Sequence, residues 1–348
     1  LIFLWAWHEC ALLSMNGAIS LRAANLVAAG AVSVGICQGD AASLDAVIPI
    51  CIAFSVMSIW LIGQTRLNEI EGPQPVLTAD CMKGKVVFVT GANAGIGKET
   101  VRQLAFLGAT VILACRSEVR ASEAMDDIRG TVHNADLRFI PLDLSDLSSV
   151  RRAAKLFKEM KLPLDVLINN AGVMMGEKCT TKDGFELMMQ ANHLGHFFLT
   201  CLLLENQNQE CRVITLSSST YSLAKKGFDF VDIFCDSSRT YTLFSQYAQT
   251  KLANILFAKE LAKRYPNVQS WAVHPGLVRT DVVRNMPWYL YYPNIIFAVA
   301  IAALQKQPKQ GAYTSVWCAA SDSPPKNGTY LVNCKVQETN KHANSVED

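Results

Sequence analysis

Val86-Val87-Phe88-Val89-Thr90-Gly91-Ala92-Asn93-Ala94-Gly95-Ile96-Gly97-Lys98-Glu99 is the stretch whose reading decides the fold. Four apolar residues make a buried strand, and three glycines then turn the chain into a helix running to about Leu107. A turn without side chains lets the backbone come close to a pyrophosphate, and a helix N-terminus adds amide donors and positive potential. The spacing is Gly-x-x-x-Gly-x-Gly, not the commoner Gly-x-Gly-x-x-Gly, and taken alone it also suits an ordinary tight turn.

Outward from this turn, short apolar runs alternate with amphipathic stretches. Thr110–Ala114, Leu137–Leu142, Asp165–Ile168, Arg212–Leu216 and Val268–Val273 read as further strands. Helices are expected at 118–130, at 146–160 and from Tyr247 to Tyr265. Such alternation predicts an α/β fold, a Rossmann-like doubly wound parallel sheet with helices on both faces. It divides the chain into a hydrophobic anchor region and linker (1–80), one catalytic domain (81–335) and a polar tail (336–348).

Half of the 348 residues are apolar, 18% are charged and the net charge is +2. No basic run is interleaved with aromatics, which argues against a nucleic-acid partner. The eleven cysteines include no Cys-x-x-Cys and no metal-ligand spacing, so they read as buried thiols of a reducing compartment, with no metal site. Residues 46–63 form an uncharged run of 18, near the lower limit for a bilayer-spanning helix, and a weaker apolar stretch covers 23–37. A buried core helix or a signal-peptide core is the alternative, although the run lies deep in the chain and lacks a basic leader. Arg22 and Arg66 flank the two stretches, which would leave the basic ends in the cytosol if both insert.

Several polar motifs fall at predicted strand ends. Asn169-Asn170-Ala171-Gly172 follows the fourth strand and Ser217-Ser218-Ser219 ends the fifth. In an open parallel sheet ligands lie beyond the carboxyl ends of strands, where both loops would sit. Asn192 is a polar residue within an apolar helix. Tyr247 and Lys251 stand at i and i+4, on one helix face. A nearby ammonium stabilises phenolate and would bring the tyrosine toward useful proton exchange.

In this order, Thr90-Gly91 through Gly97, Asn169–Gly172, Asn192, Ser218, Tyr247-x-x-x-Lys251 and His274-Pro275-Gly276 resemble the short-chain dehydrogenase/reductases over roughly residues 82–335. Ala114-Cys115-Arg116-Ser117, Asp183–Glu186, Asn192–Phe197 and Lys251–Phe257 are similar to the retinol dehydrogenase-like branch, including its X-linked dehydrogenase/reductase relatives. The resemblance implies that Tyr247 exchanges a proton with the substrate oxygen while Ser218 positions that oxygen. Lys251 would tune Tyr247 and hold the nicotinamide ribose, with Asn192 supporting a water relay behind it. Gly91, Asn93, Gly95, Ile96, Gly97, Asn170, Ala171, Gly172, Pro275 and Gly276 would line the cofactor, Asp143 would face the adenine, and Thr280 would hold the nicotinamide amide.

Arg116 stands where a carboxylate would accept hydrogen bonds from the adenosine ribose; a guanidinium there favours NADP(H) over NAD(H). The apolar tract 286–304, without a charge, reads as a substrate lid that suits a hydrophobic alcohol or carbonyl such as a retinoid, steroid or isoprenoid. A membrane-associated enzyme of the endoplasmic reticulum with its domain facing the cytosol is the resulting expectation, with a homodimer suggested by the family. A glycan on the sequon Asn327-Gly328-Thr329 would instead place the domain in the lumen. The alternative reading is a regulatory or scaffold protein that binds cofactor without turnover.

Overall fold

In the computed structural model, which describes residues 72–205, 209–236, 240–278 and 305–344, Val86–Thr90 forms β1 and is buried along its whole length. Its residues alternate between two cores. Val87 and Val89 face a cluster with Val101, Leu104, Ala312 and Val316. Val86 and Phe88 face another with Val150, Ala153, Phe157 and Leu199. A strand covered on both sides must be apolar at consecutive positions, which is why β1 shows no polar alternation. The predicted anchor segment, Thr280 and the tract 286–304 lie outside the described residues.

The other strands are β2 (Thr110–Cys115), β3 (Leu137–Pro141), β4 (Val166–Asn169), β5 (Cys211–Leu216), β6 (Val268–His274), β7 (Tyr330–Val332) and β8 (Lys335–Val336). They form one sheet in the order β3-β2-β1-β4-β5-β6-β7-β8. All neighbours are parallel except the last pair, β7 and β8. Strand order reverses between β1 and β4, so a crevice opens beyond their carboxyl ends.

Three helices pack on one core or the other for reasons visible in their sequences. Helix α1 (Gly95–Phe106) follows the glycine turn. Helix α2 (Glu118–Arg129) begins where the Ser117 side chain accepts from the Arg120 amide. Helix α3 (Leu147–Glu159) begins at the Asp146 cap and buries Val150, Ala153, Ala154 and Phe157, one stripe at helical spacing.

The remaining helices are α4 (Leu187–Leu204), α5 (Leu243–Arg264), α6 (Pro308–Ala320) and the short α7 (Lys341–Asn344). Helix α4 is long and apolar enough to span a bilayer, but 61% of it is buried within the fold, as expected of a core helix. Its turn Gln190–Leu194 is π-helical.

Sequence periodicity missed three features. Helix α5 starts at Leu243, four residues before Tyr247, because the Thr242 hydroxyl caps the Ser245 amide. β7 and β8 are too short to show a period; Asn333 and Cys334, both at positive φ, turn one into the other. The stretch read as a polar tail packs on the domain: Lys259 Nζ donates to Thr339 Oγ1 at 3.0 Å, and Ala343 is buried. At the other end, Leu77 of the expected linker packs against the core.

Within the sequon, Asn327 Oδ1 accepts from the Ser270 amide at 2.7 Å, and Nδ2 donates to Val268 O at 3.1 Å. The amide nitrogen that a glycan would require is thus engaged with β6. The cysteines among the described residues are all free thiols.

Candidate active site

The glycine turn is closed to side chains by its own backbone. Gly91 has φ of +63°, and its N–H donates to Ala114 O at 2.8 Å, tying the turn to the end of β2. A Cβ on Gly97 would lie 2.3 Å from Gly91 O and 2.5 Å from Asn170 Nδ2. No side chain caps the N-terminus of α1 at Ala94. Uncapped first-turn amides beside the bare backbone of Gly91, Gly95 and Gly97 form a cradle for an anionic group, so the residues fit a dinucleotide pyrophosphate.

The loop after β4 joins this turn to the other half of the crevice. Asn170 Nδ2 donates to Thr90 O at 2.7 Å. Thr90 Oγ1 accepts from the Asn170 amide at 2.9 Å and the Ala171 amide at 3.0 Å. A Cβ on Gly91 would meet Ala171 Cα at 3.0 Å, while one on Gly172 would lie 3.6 Å from Asn192 Oδ1 and 3.7 Å from Lys251 Nζ. The loop therefore touches the glycine turn at one end and the lysine at the other.

Asn192 lies in the π-helical turn of α4 and is fully buried. Its Oδ1 accepts from the Val173 amide at 2.7 Å, and its Nδ2 donates to Val173 O at 2.9 Å. The side chain thus clamps the loop just past Gly172.

Opposite stands α5. Lys251 Nζ donates to Leu216 O at 3.1 Å and sits 5.4 Å from the Tyr247 ring centroid. The serine triplet separates by environment. Ser217 is buried and donates to Lys251 O at 2.7 Å, while Ser219 is exposed. Ser218 lies between them, partly buried, its Oγ 2.9 Å from Thr220 Oγ1.

Burial dominates the electrostatics. It pushes the Lys251 ammonium down to about 8 and the Tyr247 phenol up to about 12. Burial alone sets the direction for Tyr247, while the Lys251 cation lies over the ring and gives its hydrogen bond to Leu216 O. His274, after β6, is likewise held neutral by burial, with Lys306 and Lys251 adding repulsion, at about 4.

The lysine shift carries a stability consequence. The unfolded side chain stays protonated up to its ordinary value of 10.5, whereas the folded one gives up its proton near 8. Between those values the unfolded state binds more protons, so this group's destabilising effect is full below about pH 8 and fades as pH rises toward 10.5. Lys251→Met is expected to raise the thermal midpoint of the cofactor-free protein at pH 7, by about 1–4 kcal/mol in stability. The gain should shrink above pH 8 in melts followed by circular dichroism. A lower midpoint at pH 7 would refute it.

At the far end of the crevice Arg116 is exposed just past β2, with no hydrogen bond or ion pair among the described residues. Asp143, after β3, accepts from the Ser145 amide at 2.9 Å and is partly buried. Asn93 is partly buried in the glycine turn, and Ile96 faces Gly311 of α6. Pro275 and Gly276 follow β6; Gly276 has φ of +92°, and a Cβ there would strike Lys306 Cε at 2.8 Å.

Three buried residues at this site, Thr90, His196 and Asn254, fall inside the motifs quoted from the sequence but received no role there. Asn254 continues the Tyr247 and Lys251 face at i+7, a spacing that could have drawn attention to it. The pairing of Thr90 with His196, 106 positions apart, carries no such signal.

A family model described as short chain dehydrogenase matches residues 85–229. Retinol dehydrogenase 12 of Mus musculus is 42% identical over 262 residues, covering 72% of this chain and 78% of that protein. Retinol dehydrogenase 14 of Mus musculus is 38% identical over 304 residues, covering 81% and 87%. Among solved structures, an uncharacterised protein from Mycobacterium paratuberculosis superposes with a TM-score of 0.61 at 30% identity, covering 78% of this chain and 92% of that one. A short chain dehydrogenase from Burkholderia cenocepacia in complex with NADP has a TM-score of 0.57 at 22% identity, covering 72% and 96%, a likeness of fold.

Proposed function

The chain belongs to the short-chain dehydrogenase/reductase family, in its retinol dehydrogenase-like branch, and from that premise we propose that it interconverts a hydrophobic alcohol and its carbonyl using NADP(H). The observation that carries this reading is the loop Asn170–Gly172. It lies against the glycine turn at Gly91 and against Lys251 and Asn192 at Gly172, so cofactor cradle and proton-handling residues share one crevice.

When bound, the nicotinamide would give or take the hydride. Gly91, Gly95 and Gly97 would admit the pyrophosphate, with Asn93 and Ile96 beside it, and Asn170, Ala171, Pro275 and Gly276 would line the cofactor's path. In carbonyl reduction the Tyr247 hydroxyl gives its proton to the substrate oxygen as negative charge builds there. Ser218, free of the inward bond that holds Ser217, donates to the same oxygen. Lys251 supplies positive charge beside the phenol, and Asn192 holds the loop at Val173 so that this geometry persists. In oxidation the same groups take the proton from the alcohol.

Arg116, exposed at the end of β2 and unpaired among the described residues, suits a 2′-phosphate through two parallel bonds, and Asp143 would border the adenine side. Arg116→Asp is expected to weaken NADPH about 10- to 100-fold relative to NADH, the size of one charge-assisted contact exchanged for repulsion. Initial rates with each cofactor would check this; an unchanged preference would remove Arg116 from the reading. The relatives named as retinol dehydrogenases favour a retinoid-like substrate. The uncharged run 46–63 favours attachment to a membrane such as the endoplasmic reticulum, with the domain in the cytosol.

The test is oxidation of NADPH, and separately NADH, by detergent-solubilised full chain given all-trans-retinal and other apolar aldehydes and ketones. Turnover with NADPH is the expected result. Cofactor binding without turnover on any carbonyl would transfer the reading to a regulatory protein.

A further inference from the structure

Resting on the proposed oxidoreductase reading, we infer that His196 is a positioning residue that links the glycine turn to the lysine end of the site through the carbonyl of Asn192. The hydrogen bonds around it admit one assignment of protons. Thr90 Oγ1 already accepts two backbone amides, from Asn170 and Ala171. Its own proton therefore goes to His196 Nε2 at 2.8 Å, the other acceptor in range being Ile168 O at 3.5 Å. Nε2 then accepts, so Nδ1 carries the ring proton and donates it to Asn192 O at 3.1 Å. Burial keeps the imidazole neutral, in agreement with this assignment.

The path continues beyond Asn192. The same carbonyl accepts from Asn254 Nδ2 at 3.1 Å, and Asn254 Nδ2 also reaches Leu216 O at 2.9 Å. Leu216 O is the acceptor that holds Lys251 Nζ. Asn254 is set in turn by His193, whose Nδ1 lies 3.0 Å from Asn254 Oδ1. Thr90, His196, Asn192, Asn254 and Lys251 are each at most 3% exposed, so these bonds lie inside the fold. A π-helical turn places Asn192 inside this chain, the kind of local departure from regular helix that recurs at functional sites.

Removing the imidazole leaves Thr90 Oγ1 only the longer contact to Ile168 O at 3.5 Å, and takes from Asn192 O the side-chain donor that ties it to the glycine turn. Asn254 and the Leu216 carbonyl are then less constrained, and Lys251 Nζ loses a fixed position beside Tyr247. The cofactor cradle at Gly91 and Gly97 keeps its own backbone bonds. The strut thus acts on proton handling more than on cofactor affinity.

The experiment compares the full-length wild type with His196→Phe, with His196→Gln as the variant that retains a side-chain N–H donor. His196→Met takes the place of the phenylalanine variant should that one fail to fold. Three readouts are taken: NADPH affinity, kcat with an apolar aldehyde, and the ultraviolet titration of the Tyr247 phenol in the NADP complex, identified by subtracting the Tyr247→Phe protein.

The expected result is NADPH affinity within about threefold and kcat lower by about 10- to 100-fold. The phenol titration should move up, with part of each effect restored by glutamine. Unchanged kcat and an unchanged titration, with only a lower melting temperature, would overturn the inference and leave His196 as packing. A wild type that turns over no carbonyl would refute the functional reading alone, because the phenol titration still decides the strut.

Discussion

Tyr247→Phe is expected to lower carbonyl reduction by about 10²–10⁴-fold, the range a positioned general acid contributes, while the protein stays folded and still binds cofactor. The substitution removes one oxygen from a partly buried ring. It leaves the Lys251 ammonium with its Leu216 acceptor and the Asn170–Gly172 loop with its bonds to Thr90. No other described group offers the same chemistry from this face: Ser218 can donate to the substrate oxygen but is itself a poor proton source at neutral pH. Stopped-flow or steady-state oxidation of NADPH, with cofactor affinity measured in parallel, separates the outcomes. Retention of more than a tenth of the wild-type rate would mean that another group delivers the proton. Simultaneous loss of cofactor affinity would mean that the variant had disturbed the crevice.

Gly97→Ala should produce the largest loss of cofactor binding among conservative changes. The added Cβ would lie 2.3 Å from Gly91 O and 3.0 Å from Gly91 C, both backbone atoms, so the turn itself must open. It would also press on Asn170 Nδ2 at 2.5 Å, the donor that holds the loop to Thr90 O. Overpacking of this kind costs about 1–3 kcal/mol of stability, and the distorted cradle presents its amides poorly to a pyrophosphate. Gly172→Ala is the matched control, because its methyl meets only ordinary contacts at 3.6 Å and 3.7 Å. The expected pattern is a lower melting temperature and strongly reduced NADPH binding for Gly97→Ala, with a stable fold for Gly172→Ala. Equal NADPH affinity in Gly97→Ala and wild type, by titration calorimetry, would show that the cofactor does not rest on this turn.

These two residues show how differently a site can be legible. Gly97 was marked by its spacing, since a strand, three glycines and a helix have a local meaning that six or seven residues can express. Its closeness to Gly91 O is a consequence of that same turn. Tyr247 was marked by its partner four residues on, but the burial that raises its phenol carried no local signal. Helix geometry brings Lys251 to the same face, whereas Met174 and Met188, of the apolar cluster against which Tyr247 packs, are remote in sequence. The choice among Ser217, Ser218 and Ser219 likewise needed the fold: Ser217 is spent on Lys251 O, and no spacing rule encodes that bond.

By itself, the sequence determined the alternation of apolar runs and amphipathic helices, the parallel sheet, the place of the glycine turn and the Tyr247–Lys251 face. Each rests on periodicity or on neighbours within one helical turn, where backbone geometry dictates what meets what. Only the tertiary structure decided the short β7–β8 edge, the docking of the Thr339–Asn344 segment and the buried path from Thr90 through His196 to Lys251. The reason is physical: these depend on hydrogen bonds between residues tens to more than a hundred positions apart, which form only when the sheet and its helices have brought the strand ends together.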